Sequence, residues 1–154
     1  MLLNGTITIG DYTTGYVWQV ATNQVLRDYS AWYHYVVQFD TTQATAANRV
    51  RLYLNGSQIT SLATASYPSL NYDAYINQAA EHVIASIGYA NNSGFDGYMA
   101  EMYFVDGYAY DPSYFGQYDS NNVWQPKKYT GAYGTNGFYL PFKNTSTSLI
   151  SNLM

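Results

Sequence analysis

The chemistry open to this chain rests on few side chains: ten Asp and Glu, six Lys and Arg and two His among 154 residues, with no cysteine. Without a thiol there is neither a disulfide framework nor a thiolate nucleophile. A retaining glycoside hydrolase uses two carboxylates about 5 Å apart. On one β-strand that requires an even spacing, because successive side chains point to opposite faces. Glu101 lies in the alternating run 95–105 (FDGYMAEMYFV), but Asp96 in the same run is an odd count away, and no acidic residue stands two or four positions from Glu101. Glu101 is therefore expected to be a partly buried carboxylate bonded to backbone or tyrosine hydroxyl groups. His34 and His82 have no His, Cys or carboxylate partner at a metal-ligand spacing, so each reads as a packed, hydrogen-bonded histidine.

The elements that must position these groups are strands. Residues 32–40 (WYHYVVQFD) place Tyr33, Tyr35, Val37 and Phe39 on one face and Trp32, His34, Val36, Gln38 and Asp40 on the other, which predicts a central, covered strand. After a small, polar loop over 41–48, residues 49–55 alternate with Val50, Leu52 and Leu54 inward and Arg49, Arg51 and Tyr53 outward. Asn55-Gly56 is a type I′ turn signal, since both central residues of that turn need positive φ. Residues 57–60 should then return antiparallel, completing a meander.

Shorter strands are predicted at 4–10 (NGTITIG) and 16–20 (YVWQV), the latter with Tyr16, Trp18 and Val20 on one face and with a turn at 21–24. Residues 62–80 show no sustained period and read as a long loop with strand fragments, packed by Tyr67, Leu70, Tyr72, Tyr75 and Ile76. Residues 82–89 (HVIASIGY) and 95–105 are predicted strands, the second a long one closed by Asp106-Gly107. Asp111-Pro112-Ser113 signals one helical turn near Pro112–Phe115, the only helix expected. A last strand at 138–142 contains Pro141, which places it at an edge.

Composition narrows the class. Charged residues make up 10% of the chain, against about 25% in ordinary domains, and 19 Tyr stand in their place. Such a surface hydrogen-bonds without long charged side chains, as extracellular, virion and sugar-binding surfaces do. The net charge of −4, with no basic stripe, argues against nucleic-acid binding. No apolar run is long enough to span a bilayer, and no signal-peptide series is evident.

The strings WYHYVV, VRLYLNG and FDGYMAEMYFVDG followed by DPSYF resemble, in order and spacing, the laminin G-like and pentraxin-like branch of the concanavalin A-like lectin/glucanase superfamily. RDYSAWYHYVVQFDTTQATAANRV and KKYTGAYGTNGFYLPF are similar to the versions of that domain in bacteriophage tail-fibre and other virion surface proteins. The resemblance runs from about Arg27 to Phe142 and implies an all-β antiparallel jelly-roll sandwich; residues 1–142 are expected to form this single domain, followed by a tail at 143–154. Members usually carry further strands before the region matching 25–28. Here only a short segment precedes it: either the domain is minimal, or the chain starts inside a domain, or a neighbouring chain supplies the missing strands, and an unpaired edge is expected along 4–20.

The superfamily's glycosidases carry paired carboxylates on one strand, a pattern missing here, so the expected protein is not an enzyme. A glycoside hydrolase is the least favoured of three readings. The favoured one is a virion surface domain, outside the cell, that binds host-surface carbohydrate through Tyr67, Tyr72, Tyr75, Trp124, Asn91 and Asn92. The other is a purely structural virion module. Related domains bind calcium at the sandwich rim, for which Asp40, Asp96 and Asp106 are the available hard oxygen ligands; no other cofactor is expected. The expected partners are other virion chains or copies of this one, as a trimer by likeness to phage fibres, with contacts at 4–20 and 67–76. Sequons begin at Asn4, Asn55, Asn91 and Asn144 and matter only in a eukaryotic secretory pathway.

Overall fold

The computed structural model describes residues 2–3, 5–85 and 95–143. In chain order its strands are β1 (Leu2–Leu3), β2 (Thr6–Tyr12), β3 (Tyr16–Val25), β4 (Tyr35–Phe39), β5 (Val50–Leu54), β6 (Ser57–Gln58), β7 (Leu62–Ser66), β8 (Met102–Phe104), β9 (Gly116–Tyr118), β10 (Trp124–Pro126) and β11 (Phe138–Leu140). They form small antiparallel sheets, ordered β1-β2-β3-β7, β4-β5-β6, β9-β10 and β8-β11. The protein is all-β. The chain divides into two compact units, Met1–Gln78 with Ala109–Thr130, and Ala79–Tyr108 with Gly131–Met154. Among the described residues no helix is long and apolar enough to cross a membrane.

In the first unit, alternation sets the core. Val50 and Leu52 of β5 are 2% and 1% exposed and join Ile7, Trp18 and Val20 of the β2-β3 sheet in one cluster. Ile9, Leu26, Tyr35, Phe39, Ile59, Leu62, Tyr67 and Tyr72 pack around it. Burying a side chain the size of leucine contributes about 1.5–3 kcal/mol, so these few positions hold the two sheets together. The Asn55-Gly56 turn forms as its residue types require, with φ of 47° and 80°, and β6 returns antiparallel to β5.

Several strands differ from expectation. β3 runs through residues 21–24, where a turn was expected, because a bulge against β2 absorbs the extra residues. The Thr22 hydroxyl meets the local hydrogen-bonding need, accepting from the Ile7 amide at 3.1 Å and donating to the Gln24 carbonyl at 3.0 Å. Residues 32–40 are not a central strand. Only Tyr35–Phe39 pairs, at the edge of its sheet, because β5 offers five partners before the turn reverses the chain. The two longest described strands are therefore β3 and β2. These pair with each other, β1 pairs with Thr6 and Ile7 on the outer side of β2, and β7 pairs with Gln19, Val20, Ala21 and Thr22 of β3, so the edge expected along 4–20 is filled in part.

A 3-10 turn at Pro112–Tyr114 appears where expected, and a second, unexpected one lies at Ala46–Asn48. Arg49 braces the loop around the second turn, donating to the carbonyls of Gln43, Ala44 and Pro68.

In the second unit, the long strand expected at 95–105 is reduced to β8, because Glu101 adopts φ 53°, outside the extended region. β8 pairs with β11. Tyr103 stacks on Tyr139 at 4.7 Å and on Tyr133 at 6.4 Å, and Phe104 stacks on Phe138 at 5.4 Å. Of the strand expected at 82–89, residues 82–85 are not in strand and 86–89 lie outside the described residues.

Candidate functional site

The type I′ turn after β5 starts the site. Gly56 has φ 80°, and a Cβ there would lie 2.3 Å from Cε3 of Trp124. A Cβ on Gly116, in β9, would lie 2.3 Å from Cζ2 of the same ring. The indole therefore rests against two glycine backbones, one from the turn and one from the neighbouring strand. Trp124 Nε1 donates to His34 Nδ1 at 3.0 Å. The turn is tied to the same histidine: the Asn55 amide donates to the His34 carbonyl at 2.8 Å, and the His34 amide donates to Asn55 Oδ1 at 2.9 Å. Burial pushes the His34 imidazole below its ordinary range, which favours the neutral ring that can accept at Nδ1.

The segment 109–127 completes the surround. Asp111 Oδ1 caps the 3-10 turn by accepting from the Ser113 amide at 2.8 Å, and Pro112 starts that turn with its ring buried. Phe115 is buried against Tyr129, with ring centres 5.2 Å apart. The Tyr118 ring meets Trp124 edge-on at 5.0 Å, and its hydroxyl lies 3.3 Å from Ser57 Oγ. The Asp119 carboxylate shapes the β9–β10 turn. The amides of Val123 and Asn121 donate to it and hold it below the usual carboxylate range.

Between these elements runs a shallow, open groove of about 510 Å³. Tyr118 and Trp124 line it with rings over the buried Tyr53, and Asp111, Ser113, Gln117 and Lys127 line it with hydrogen-bonding groups. Gln117 is exposed on its wall. Asp111 is the single carboxylate in the lining, whereas glycoside hydrolysis uses two. The arrangement suits binding by stacking and by hydrogen bonds.

Of the residues expected to bind carbohydrate, Trp124 alone lines this groove. Tyr67 and Tyr72 pack on the core, and the Tyr72 hydroxyl donates to Asp11 Oδ2 at 2.8 Å, a bond that raises the phenol above its ordinary range. Tyr75 is 57% exposed on the same loop. Asn91 and Asn92 lie outside the described residues.

Of the expected calcium ligands, the Asp40 carboxylate is engaged by its own loop. It accepts from the Thr42 hydroxyl and from Gln43 Nε2, each at 2.6 Å, and is held below the usual range by these bonds. Asp106 accepts from the Asn136 amide at 3.1 Å, and Asp96 lies on an exposed stretch. Among the described residues no three His, Asp or Glu side chains group to hold a metal. Glu101 is the partly buried carboxylate expected of it: Oε2 accepts from Tyr103 at 3.0 Å and Tyr139 at 2.5 Å, and the Tyr139 phenol is raised chiefly by that bond.

Sequence reasoning missed Tyr53, Gly56, Asp111, Ser113, Gly116, Gln117, Tyr118 and Lys127 as neighbours of Trp124. The available signal was the pair of glycines, one in the Asn55-Gly56 turn and one two residues before Tyr118, each leaving room for a large ring.

The chain matches no family model, no curated protein and no solved structure.

Proposed function

We propose that this chain is a non-enzymatic lectin-like domain of a bacteriophage virion surface, a concanavalin A-like jelly-roll sandwich that binds host-surface carbohydrate in the Trp124 groove. The observation that carries the reading is the groove's lining, in which the Tyr118 and Trp124 rings meet amide, hydroxyl and carboxylate groups within about 510 Å³. Sugars present apolar C–H faces to rings and hydroxyls to such polar groups. Two features support the sandwich: two antiparallel sheets of the first unit share one core, and helix is confined to two short turns among the described residues. The virion setting rests on the sequence resemblance and on the low charge content.

The test is binding of the native protein to purified bacterial surface polysaccharides, with product analysis of the same mixtures. Saturable binding without release of reducing sugars is expected. Glu101→Gln should lower stability and leave binding intact, because its partners are the Tyr103 and Tyr139 hydroxyls. Hydrolysis that disappears in Glu101→Gln would overturn the non-enzymatic reading.

A further inference from the structure

The sheet β1-β2-β3-β7 has two edges that are finished differently. On the β2 side, β1 covers Thr6 and Ile7, and further along Asp11 accepts a hydrogen bond from the Tyr72 hydroxyl. On the β7 side, Leu62–Ser66 pairs with β3 alone among the described residues. That strand contains no proline, and the chain from Leu52 to Tyr72 contains no Asp, Glu, Lys or Arg. Ala63, Ala65 and Ser66 are exposed, and their side chains are too short to keep another strand away. Open edges are normally blunted by charge, proline, a bulge or a cover. This one lacks the first two, and its register against β3 shifts at Ala63.

The chemistry of an open edge calls for an extended strand, and the β7 sequence fits its own copy. Read antiparallel against itself in full overlap, LATAS sets Thr64 opposite Thr64, Ala63 opposite Ala65 and Leu62 opposite Ser66. Thr–Thr pairs across strands are favourable, and an uncharged strand does not repel its duplicate. We propose that β7 pairs antiparallel with β7 of a second copy about a two-fold axis, joining two sheets into one. Self-pairing of a strand closes at two copies, so the assembly is a dimer in place of the trimer that likeness to fibres implies. This inference does not depend on the carbohydrate reading.

The absence of native cysteine makes single-cysteine variants clean probes. In the proposed pairing, residue 64 faces its own copy with Cα atoms about 4.5–5.5 Å apart, inside the disulfide range. Residue 66 is offset from its copy by four positions, about 14 Å along the strand. Sedimentation of the full chain should give a dimer mass. Thr64→Cys should cross-link under mild oxidation and Ser66→Cys should not. Ala63→Lys should yield a monomer with an unchanged circular dichroism spectrum; if that variant fails to fold, the cysteine pair still decides. A monomer at all concentrations, a trimer mass, a dimer that does not cross-link at 64, or equal cross-linking at 64 and 66 would each overturn the proposal.

Discussion

The two faces of β5 are held by different physics. Val50 and Leu52 point into an apolar cluster, where area removed from water does the work. On the opposite face, Arg51 Nη1 and the Tyr53 hydroxyl both donate to Gln38 Oε1, while Gln38 Nε2 donates to the Ala109 carbonyl. The first face needs only the right volume and period. The second needs particular partners, drawn from residues 34–38, 51–57 and 109–127, and it is the face that carries the groove.

Either face of β5 can be disrupted by a single substitution, beginning with the apolar one. Leu52→Ala removes the most buried leucine among the described residues and should cost about 2–5 kcal/mol in denaturant unfolding. A loss under 1 kcal/mol would mean that the two sheets do not share this core. On the polar face, Gly116→Val keeps a residue type that strands accept but drives a side chain into the indole. It should cost about 1–3 kcal/mol through overpacking and alter Trp fluorescence, whereas Gly15→Val, where nothing lies within 4 Å of the added Cβ, should cost much less.

The smallest expected effect is a pH dependence centred on His34. Burial lowers its folded pKa, so as pH falls the unfolded chain takes up the proton first. This contribution to stability is complete above the ordinary histidine range near 6.5 and is lost as pH falls through the folded pKa. Protonation also turns Nδ1 into a donor, which can no longer accept from Trp124. Chemical denaturation between pH 7.5 and 5 should show that decline, and His34→Gln should flatten it. An equal slope in the variant would place the titration elsewhere.

What could be read from the sequence follows the same division. The alternation over 49–55, the Asn55-Gly56 turn and the Asp111-Pro112 cap are local signals with one physical solution each, and all three formed, save that Tyr53, expected outward, is buried. The strand ends were not local. Tyr35–Phe39 is short because its partner is short, and β8 is short because Glu101 leaves the extended region to reach two tyrosine hydroxyls. The groove was least legible, since His34, Gly56, Gly116 and Trp124 meet only through tertiary packing. The aromatic density of 67–76, which marked that loop as a binding surface, is partly spent on the core and on Asp11.

In the proposed function the Trp124 groove, and not the 67–76 loop, binds carbohydrate. The most direct measurement is a side-by-side titration of wild type, Gln117→Ala and Tyr75→Ala with one polysaccharide that binds the native protein. Both residues are exposed, so the fold should tolerate either change. Losing one hydrogen bond of about 1–1.5 kcal/mol weakens affinity about tenfold. That loss is predicted for Gln117→Ala, with Tyr75→Ala unchanged; full binding by Gln117→Ala and a comparable loss in Tyr75→Ala would contradict the account.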